Sequence, residues 1–115
     1  MYKSQFYQDQ SGKQPFKEWL DKLQQKDRSA AAKIDTRIDR AETGNFGDHK
    51  FEREGVWELR IDYGPGYRVY YSMEDGQIIL LLIGGSKKTQ AADLDKAVNY
   101  LKDFKARAKQ NDTNS

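Results

Sequence analysis

The stretch that decides the fold covers residues 55–90 and reads GVWELRIDYGPGYRVYYSMEDGQIILLLIGGSKKTQ. Apolar and polar residues alternate over 56–62 and again over 67–71, which is typical of strands with one buried face. The connection between them contains two glycines and a proline and predicts a tight turn. The two runs therefore predict an antiparallel hairpin. The next run, 78–83, is continuously apolar and predicts a central strand covered on both faces.

The register of this hairpin brings two arginines together. Pairing Ile61 with Tyr67 keeps the apolar side chains of both strands on one face of the sheet. Arg60 then lies opposite or diagonal to Arg68 on the other face, where like charges repel each other. The two arginines either bind an anion such as phosphate or are neutralised by acidic neighbours such as Glu58. The hairpin alone favours neither interpretation.

Length and composition limit the class of protein. The chain has 115 residues, which is enough for one domain with a modest core. Its formal net charge is only +2, so nucleic-acid binding depends on how the basic residues cluster. Cysteine is absent, which excludes disulfides and thiolate metal sites. The N-terminus lacks the apolar run of a secretory signal, so we expect a cytoplasmic protein without a membrane segment.

Helical patterns precede the hairpin. After a first strand predicted within residues 1–8, Pro15 is suited to begin a helix with one apolar face. Asp27 is suited to cap a second helix, and Gly44 to end it. The two helices form a helical hairpin. Its basic residues over 28–40 alternate with acidic ones, which is typical of a solvated face.

The remaining segments predict two loops and a last helix. Residues 44–53 predict a polar loop, and residues 84–90, GGSKKTQ, predict a glycine-rich basic loop where a helix N-terminus favours anions. An apolar stripe predicts the last helix over 91–105. The polar residues 106–115 predict a disordered tail. The predicted fold is α+β: residues 1–105 form one domain, in which a small antiparallel sheet of about four strands carries an N-terminal helical hairpin and a C-terminal helix.

Two motifs, ELRIDYGPGYRVYY at 58–71 and GGSKKTQ at 84–90, resemble the RelE/ParE toxin superfamily. They are most similar to its HigB-like branch of addiction-module killer proteins, and the resemblance extends from the helical hairpin to Leu101. It implies a RelE-like fold, the toxin of a type II toxin–antitoxin system and a cognate antitoxin partner. Many members cleave mRNA in the ribosomal A site, whereas ParE-like members inhibit DNA gyrase without being enzymes. We favour the ribonuclease, because paired arginines and lysines suit phosphate, and gyrase inhibition is the alternative.

The resemblance also implies residue roles. Arg60 matches the arginine of the ELR signature, and Arg68 matches that of the GYR signature, which contacts the scissile phosphate in ribosome-dependent members. Lys87 and Lys88 match basic residues that follow the glycines. Lys50 matches a lysine that precedes the ELR strand. The chain departs from the typical HigB-like pattern, which has aspartate where this sequence has serine after the two glycines.

The chemistry of the favoured function is transfer of a phosphate to the neighbouring ribose 2′-OH, with no metal or cofactor. Glu58 is the candidate proton acceptor because arginine stays protonated, and Tyr70 or a lysine is the candidate donor. His49, the sole histidine, is weak evidence for a metal, although an acid–base role stays open. The predicted catalytic residues are Arg60, Arg68, Lys87, Lys88, Glu58 and Tyr70. The predicted RNA-binding residues are Lys50, His49, Arg60, Arg68, Lys87 and Lys88.

Overall fold

The structure is a computed structural model that describes residues 1–114, and side chains up to residue 110. Within these residues a five-stranded mixed sheet is covered by helices on both faces. The elements are β1 (Lys3–Phe6), α1 (Pro15–Lys26), α2 (Arg28–Glu42), β2 (His49–Arg53), β3 (Val56–Ile61), β4 (Tyr67–Glu74), β5 (Ile78–Ser86), a 3₁₀ turn (Lys87–Thr89) and α3 (Gln90–Asn114). The strand order is β1-β5-β4-β3-β2.

The predicted α+β class is confirmed, and so is the central hairpin. β3 and β4 are antiparallel, with Ile61 opposite Tyr67 and Arg60 directly opposite Arg68. The turn between them is closed by the Gly66 N–H, which donates to the Tyr63 carbonyl at 3.0 Å. Alternation along these two strands therefore predicted which side chains share a face, and the structure places the two arginines directly opposite each other.

The sheet differs from the predicted one in two respects. β1 pairs with β5 in parallel, so the sheet is mixed rather than wholly antiparallel. The segment predicted as a polar loop contains β2, which pairs with β3 at the sheet edge. The turn between β2 and β3 has φ of 51° at Glu54 and 85° at Gly55. Two consecutive positive φ values are typical of a hairpin turn, but Glu-Gly is not a usual sequence for it.

Helices lie on both faces of the sheet. α1 and α2 cover the face that carries Leu59, Val69 and Leu81. α3 covers part of the opposite face, where it packs on Leu80 and Leu82. The prediction of a strand buried on both sides is thus confirmed for β5. α3 leaves part of the face that carries the two arginines uncovered. The polar residues of this face lie in that uncovered area.

α3 continues past residue 105, although the polar sequence after this residue predicts a disordered tail. Arg107 explains the extension, because its guanidinium donates to the Asp103 carboxylate and to the Gln8 carbonyl. The Tyr7 hydroxyl also donates to Asp103, at 2.6 Å. These contacts join the helix to the segment after β1 through polar groups, which apolar periodicity does not detect. The last residue, Ser115, lies outside the described residues.

The predicted glycine-rich loop is wrong, because Gly84 and Gly85 belong to β5. A Cβ atom on Gly84 would lie 2.3 Å from Cε3 of Trp19 in α1. A Cβ atom on Gly85 would lie 1.8 Å from an Asp93 carboxylate oxygen in α3. The two glycines therefore let a helix approach β5 closely on each face, and they do not form an anion-binding loop.

Candidate functional site

A polar cavity of about 450 Å³ lies on the β2–β3–β4 face, next to the N-terminus of α3. Cross-strand pairing assembles it: Lys50 lies opposite Glu58, Glu58 opposite Tyr70, and Arg60 opposite Arg68. Residues directly opposite each other project from the same face of a sheet. The cavity is lined by Lys50, Glu52, Glu58, Arg60, Arg68, Tyr70, Lys87, Gln90, Ala91 and Leu94. Most of the predicted site residues are therefore brought together.

Lys87 reaches the cavity from the 3₁₀ turn that follows β5. Its backbone N–H donates to the Gly66 carbonyl in the β3–β4 turn at 2.9 Å. Lys87 also lines, together with Arg60 and Arg68, an adjoining cavity of about 430 Å³ beside that turn. The contact between the two turns thus places an ammonium group beside the arginine pair, which sequence spacing alone did not show.

Arg68 is the most deeply buried cation of this cluster, and its hydrogen bonding is incomplete. Its side chain is 13% exposed, and Nη1 donates to the Tyr67 carbonyl at 3.1 Å. Its Nε is buried and has no hydrogen-bond partner among the side chains that the structure describes. The nearest carboxylate oxygen, on Glu58, is 3.9 Å away, which is too far for a hydrogen bond. A buried donor without a partner raises the free energy of the fold, so such groups call for a functional explanation.

Arg60 is held differently from Arg68. Its Nε and Nη2 both donate to Oδ1 of Asp48, at 3.1 and 2.9 Å. Arg37 of α2 fixes the backbone of this pair, since it donates to the carbonyls of Arg60 and Asp48 at 2.6 and 3.0 Å. The helical hairpin thereby positions one arginine at the exposed rim of the cavity, while Arg68 lies deeper.

Glu58 is the buried carboxylate of the cavity. Only 6% of the residue is exposed. Burial raises the pKa of Glu58, and the neighbouring carboxyl of Glu52 raises it further, whereas Arg68 and Arg60 oppose the shift. A carboxylate with a raised pKa is a better proton acceptor near neutral pH than an ordinary one. This property fits the role that the sequence predicted for Glu58.

The comparisons with known proteins identify the family of the chain. The family model described as "Phage derived protein Gp49-like (DUF891)" matches residues 18–105. The chain belongs to the Gp49-like family. A relative from Haemophilus influenzae (strain ATCC 51907 / DSM 11121 / KW20 / Rd), called "Uncharacterized protein", is 50% identical over 82 residues, which cover 71% of this chain and 81% of the relative. The range matched by the family model includes every predicted site residue.

Two predicted residues of this Gp49-like protein lie outside the cavity. His49 pairs with Leu59 and contacts the rings of Phe46 and Trp57, which belong to the α1/α2 face. Lys88 lines a separate groove between α1 and α3. The predictions placed both with the RNA-binding residues, and Lys88 also with the catalytic ones; the structure places neither in the cavity. Alternation within β2 separates the histidine from Lys50, and one residue of the 3₁₀ turn separates Lys88 from Lys87.

Tyr70 is in the cavity, but its hydroxyl is engaged. It donates to the Gln90 carbonyl at 3.3 Å, and burial raises the pKa of Tyr70 far above its ordinary value. A phenol with a raised pKa is a weaker acid, which makes proton donation less favourable. Glu52, conversely, lines the cavity and was missed by the sequence analysis. Had β2 been recognised as a strand, its alternation would have placed Glu52 on the same face as Lys50.

No helix in the described part of the chain is long and apolar enough to cross a membrane.

Proposed function

We propose that this Gp49-like protein is the toxin of a type II toxin–antitoxin system, of the HigB-like kind, and acts as a ribosome-dependent endoribonuclease on mRNA. The observation that carries the proposal is the deep, incompletely bonded Arg68 beside the buried carboxylate of Glu58. A phosphate that enters the cavity gives the exposed part of this guanidinium the acceptors that the protein itself does not supply. Arginine is suited to this task because its planar fork matches the geometry of phosphate.

The proposed reaction begins with the ribose 2′-OH next to the scissile phosphate. Glu58 accepts the proton of this hydroxyl, and the 2′-oxygen forms a bond to phosphorus. Negative charge develops on the phosphate oxygens, where Arg68 and Lys87 stabilise it electrostatically. The bond from phosphorus to the 5′-oxygen then breaks, and an ammonium group protonates the leaving oxygen. The products carry a 2′,3′-cyclic phosphate and a 5′-hydroxyl.

The other cavity residues take supporting roles in this proposal. Lys50 and Lys87 are the candidate proton donors, since the hydroxyl of Tyr70 already donates to a backbone carbonyl. Arg60, held at the rim by Asp48, binds a flanking phosphate of the message. The ribosome positions the mRNA, which supplies much of the rate when proton transfer is modest. A cognate antitoxin silences the protein in its own cell.

Mapping of RNA ends tests the proposed function. Expression is expected to arrest growth, and sequencing of 5′-hydroxyl RNA ends is expected to show new ends inside translated messages. Purified protein is expected to cut mRNA on ribosomes and to leave the same RNA uncut in free solution. DNA breaks and filamentation with intact messages would contradict the proposal and support gyrase inhibition. Arg53→Ala is a suitable control, because Arg53 pairs with Glu54 and Asp95 outside the cavity.

The pH dependence of cleavage tests the role of Glu58. The base must be ionised, so we expect the wild-type rate to fall as the pH decreases through the raised pKa of Glu58. Glu58→Gln is expected to lose about 10²–10⁴-fold in rate and to lose this acidic limb. Single-turnover cleavage on ribosomes between pH 5 and 8 measures both effects. An unchanged acidic limb in the variant would show that another group is the base.

The stability of the same variant provides an independent test. A pKa raised in the folded state means that the folded protein binds the proton more tightly than the unfolded chain does. The ionised carboxylate therefore destabilises the fold at pH values above the raised pKa, and this effect disappears as the pH falls through it. Glu58→Gln is expected to melt at a higher temperature than wild type at pH 7, with a smaller difference at pH 4. A lower melting temperature at pH 7 would contradict the assigned pKa shift.

A further inference from the structure

A second, larger groove lies between α1, the end of β5 and the start of α3, with a volume of about 790 Å³. This volume is within the range of ligand clefts. Its floor is formed by apolar and aromatic side chains, with four lysines around it. The floor residues are Trp19, Leu23, Tyr67 and Ile83, and the lysines are Lys22, Lys26, Lys88 and Lys96.

The four lysines give the groove a positively charged rim. All four are exposed, and within residues 1–110 none of them forms an ion pair or a side-chain hydrogen bond. Lys22 and Lys26 are one helical turn apart, an arrangement in which like charges destabilise a helix slightly. By contrast, Lys17 on the same helix is paired with Asp21 at 2.8 Å. The local excess of positive charge therefore suits an acidic ligand.

The floor of the groove favours a protein segment over RNA. Two carboxylates line it, and both are already bonded within the protein: Asp27 accepts from the Ala30 N–H at 3.1 Å, and Asp93 accepts from the Thr89 hydroxyl at 2.6 Å. A phosphate chain lying along the groove would meet these negative charges. An amphipathic segment can place apolar side chains on the floor and carboxylates beside the lysines at the rim.

We propose that this groove binds an acidic amphipathic segment of a partner protein. The inference rests on the proposed function, which supplies the antitoxin as the protein that carries this segment. Pro65 lines both the groove and the cavity beside Arg60 and Arg68, so the bound segment lies next to the reaction site. The basic face of α2 is less suited to bind the acidic segment, because the guanidinium of Arg37 already donates hydrogen bonds to three backbone carbonyls.

Binding of the protein encoded beside this gene, used as the probe, tests the inference. Two variants with equal numbers of charge reversals are compared, one inside the groove and one outside it. Lys22→Glu/Lys96→Glu reverses one lysine on each wall of the groove. Lys3→Glu/Lys13→Glu changes the net charge equally at exposed positions outside it. We expect the groove variant to bind the probe at least tenfold more weakly than wild type, and the control variant to bind within about twofold. Binding is measured by titration calorimetry at two salt concentrations, after circular dichroism shows that each variant is folded.

A fluorescence experiment locates the contact directly. The chain has two tryptophans, so Trp57→Phe leaves Trp19 on the groove floor as the reporter. We expect the emission of Trp19 to shift when the probe binds. Equal affinity of the groove variant and wild type, or an unchanged Trp19 emission, would overturn the inference.

The remaining outcomes separate this inference from the proposed function. Loss of ribosomal mRNA cleavage in the groove variant, with unchanged probe affinity, would make the groove an RNA contact and overturn the inference. Failure of the probe to bind wild type would also overturn it. The protein could bind the probe through the groove and yet neither arrest growth nor cleave mRNA. This result would support the groove as the binding site and refute the ribonuclease activity. If the protein arrests growth and cleaves mRNA, but the groove variant binds the probe as tightly as wild type does, the proposed function is supported and the groove inference is overturned.

Discussion

Arg68→Ala is expected to lower ribosome-dependent mRNA cleavage by about 10²–10³-fold, the loss typical of removing one donor that stabilises developing charge. The guanidinium lies deep beside Glu58, with one hydrogen bond to a backbone carbonyl and a buried Nε that lacks a partner among the described side chains. The variant loses little apolar burial and removes this unpaired donor. It is therefore expected to fold normally while losing toxicity.

Growth of cells that express the variant and single-turnover cleavage on ribosomes measure this effect. Arg68→Lys is an informative companion, because it keeps the positive charge but removes the planar fork that matches phosphate. We expect it to recover only part of the lost rate. Arg53→Ala, outside the cavity, is expected to cleave like wild type. A folded Arg68→Ala protein that cleaves and arrests growth as wild type does would refute the phosphate site.

Much of the central sheet was predictable because it depends on local alternation. A period of two fixed the faces of β3 and β4, and with them the prediction that Arg60 lies opposite or diagonal to Arg68; the structure shows that the two are directly opposite. The cap at Asp27 was predictable for the same reason, since the side chain that accepts the Ala30 N–H is close in sequence. These features needed no knowledge of distant contacts.

Features that depend on distant contacts were not predictable. Gly84 and Gly85 suggested a glycine-rich, anion-binding loop, yet their lack of a Cβ allows close packing against Trp19 and Asp93. β1 pairs in parallel with β5, which is distant in sequence, and the alternation of residues within a strand does not indicate which strand it pairs with. The extension of α3 likewise depends on Arg107, whose partners include a carbonyl 99 residues away in sequence.

In the candidate site too, features set by local sequence were predictable and features set by distant contacts were not. Residues on recognised strands, such as Glu58 and Arg68, were placed correctly on one face. Glu52 was missed because its strand was taken for a loop. Lys87 and Lys88 are indistinguishable in the sequence, but the 3₁₀ turn directs one to the cavity and the other to the groove. Composition can identify the basic residues, whereas only the backbone path assigns each of them to a surface.

Gly84→Ala is expected to destabilise the fold by about 3 kcal/mol, a large loss for one methyl group. The new Cβ would lie 2.3 Å from Cε3 and 2.4 Å from Cζ3 of Trp19, far inside van der Waals contact. The indole cannot simply rotate away, because it packs between Phe16 and Tyr67. Relief requires α1 to move away from β5, which disturbs the packing of the whole helical hairpin.

Urea unfolding measures this loss, and a double-mutant cycle with Trp19 assigns its cause. Trp19→Ala removes the ring, so adding Gly84→Ala to that background is expected to change the free energy of unfolding by less than about 1 kcal/mol. The same loss in both backgrounds would mean that the backbone, and not the indole, requires glycine. Because Trp19 also forms the groove floor, the single Gly84→Ala variant is expected to weaken partner binding while the cavity beside Arg68 stays intact.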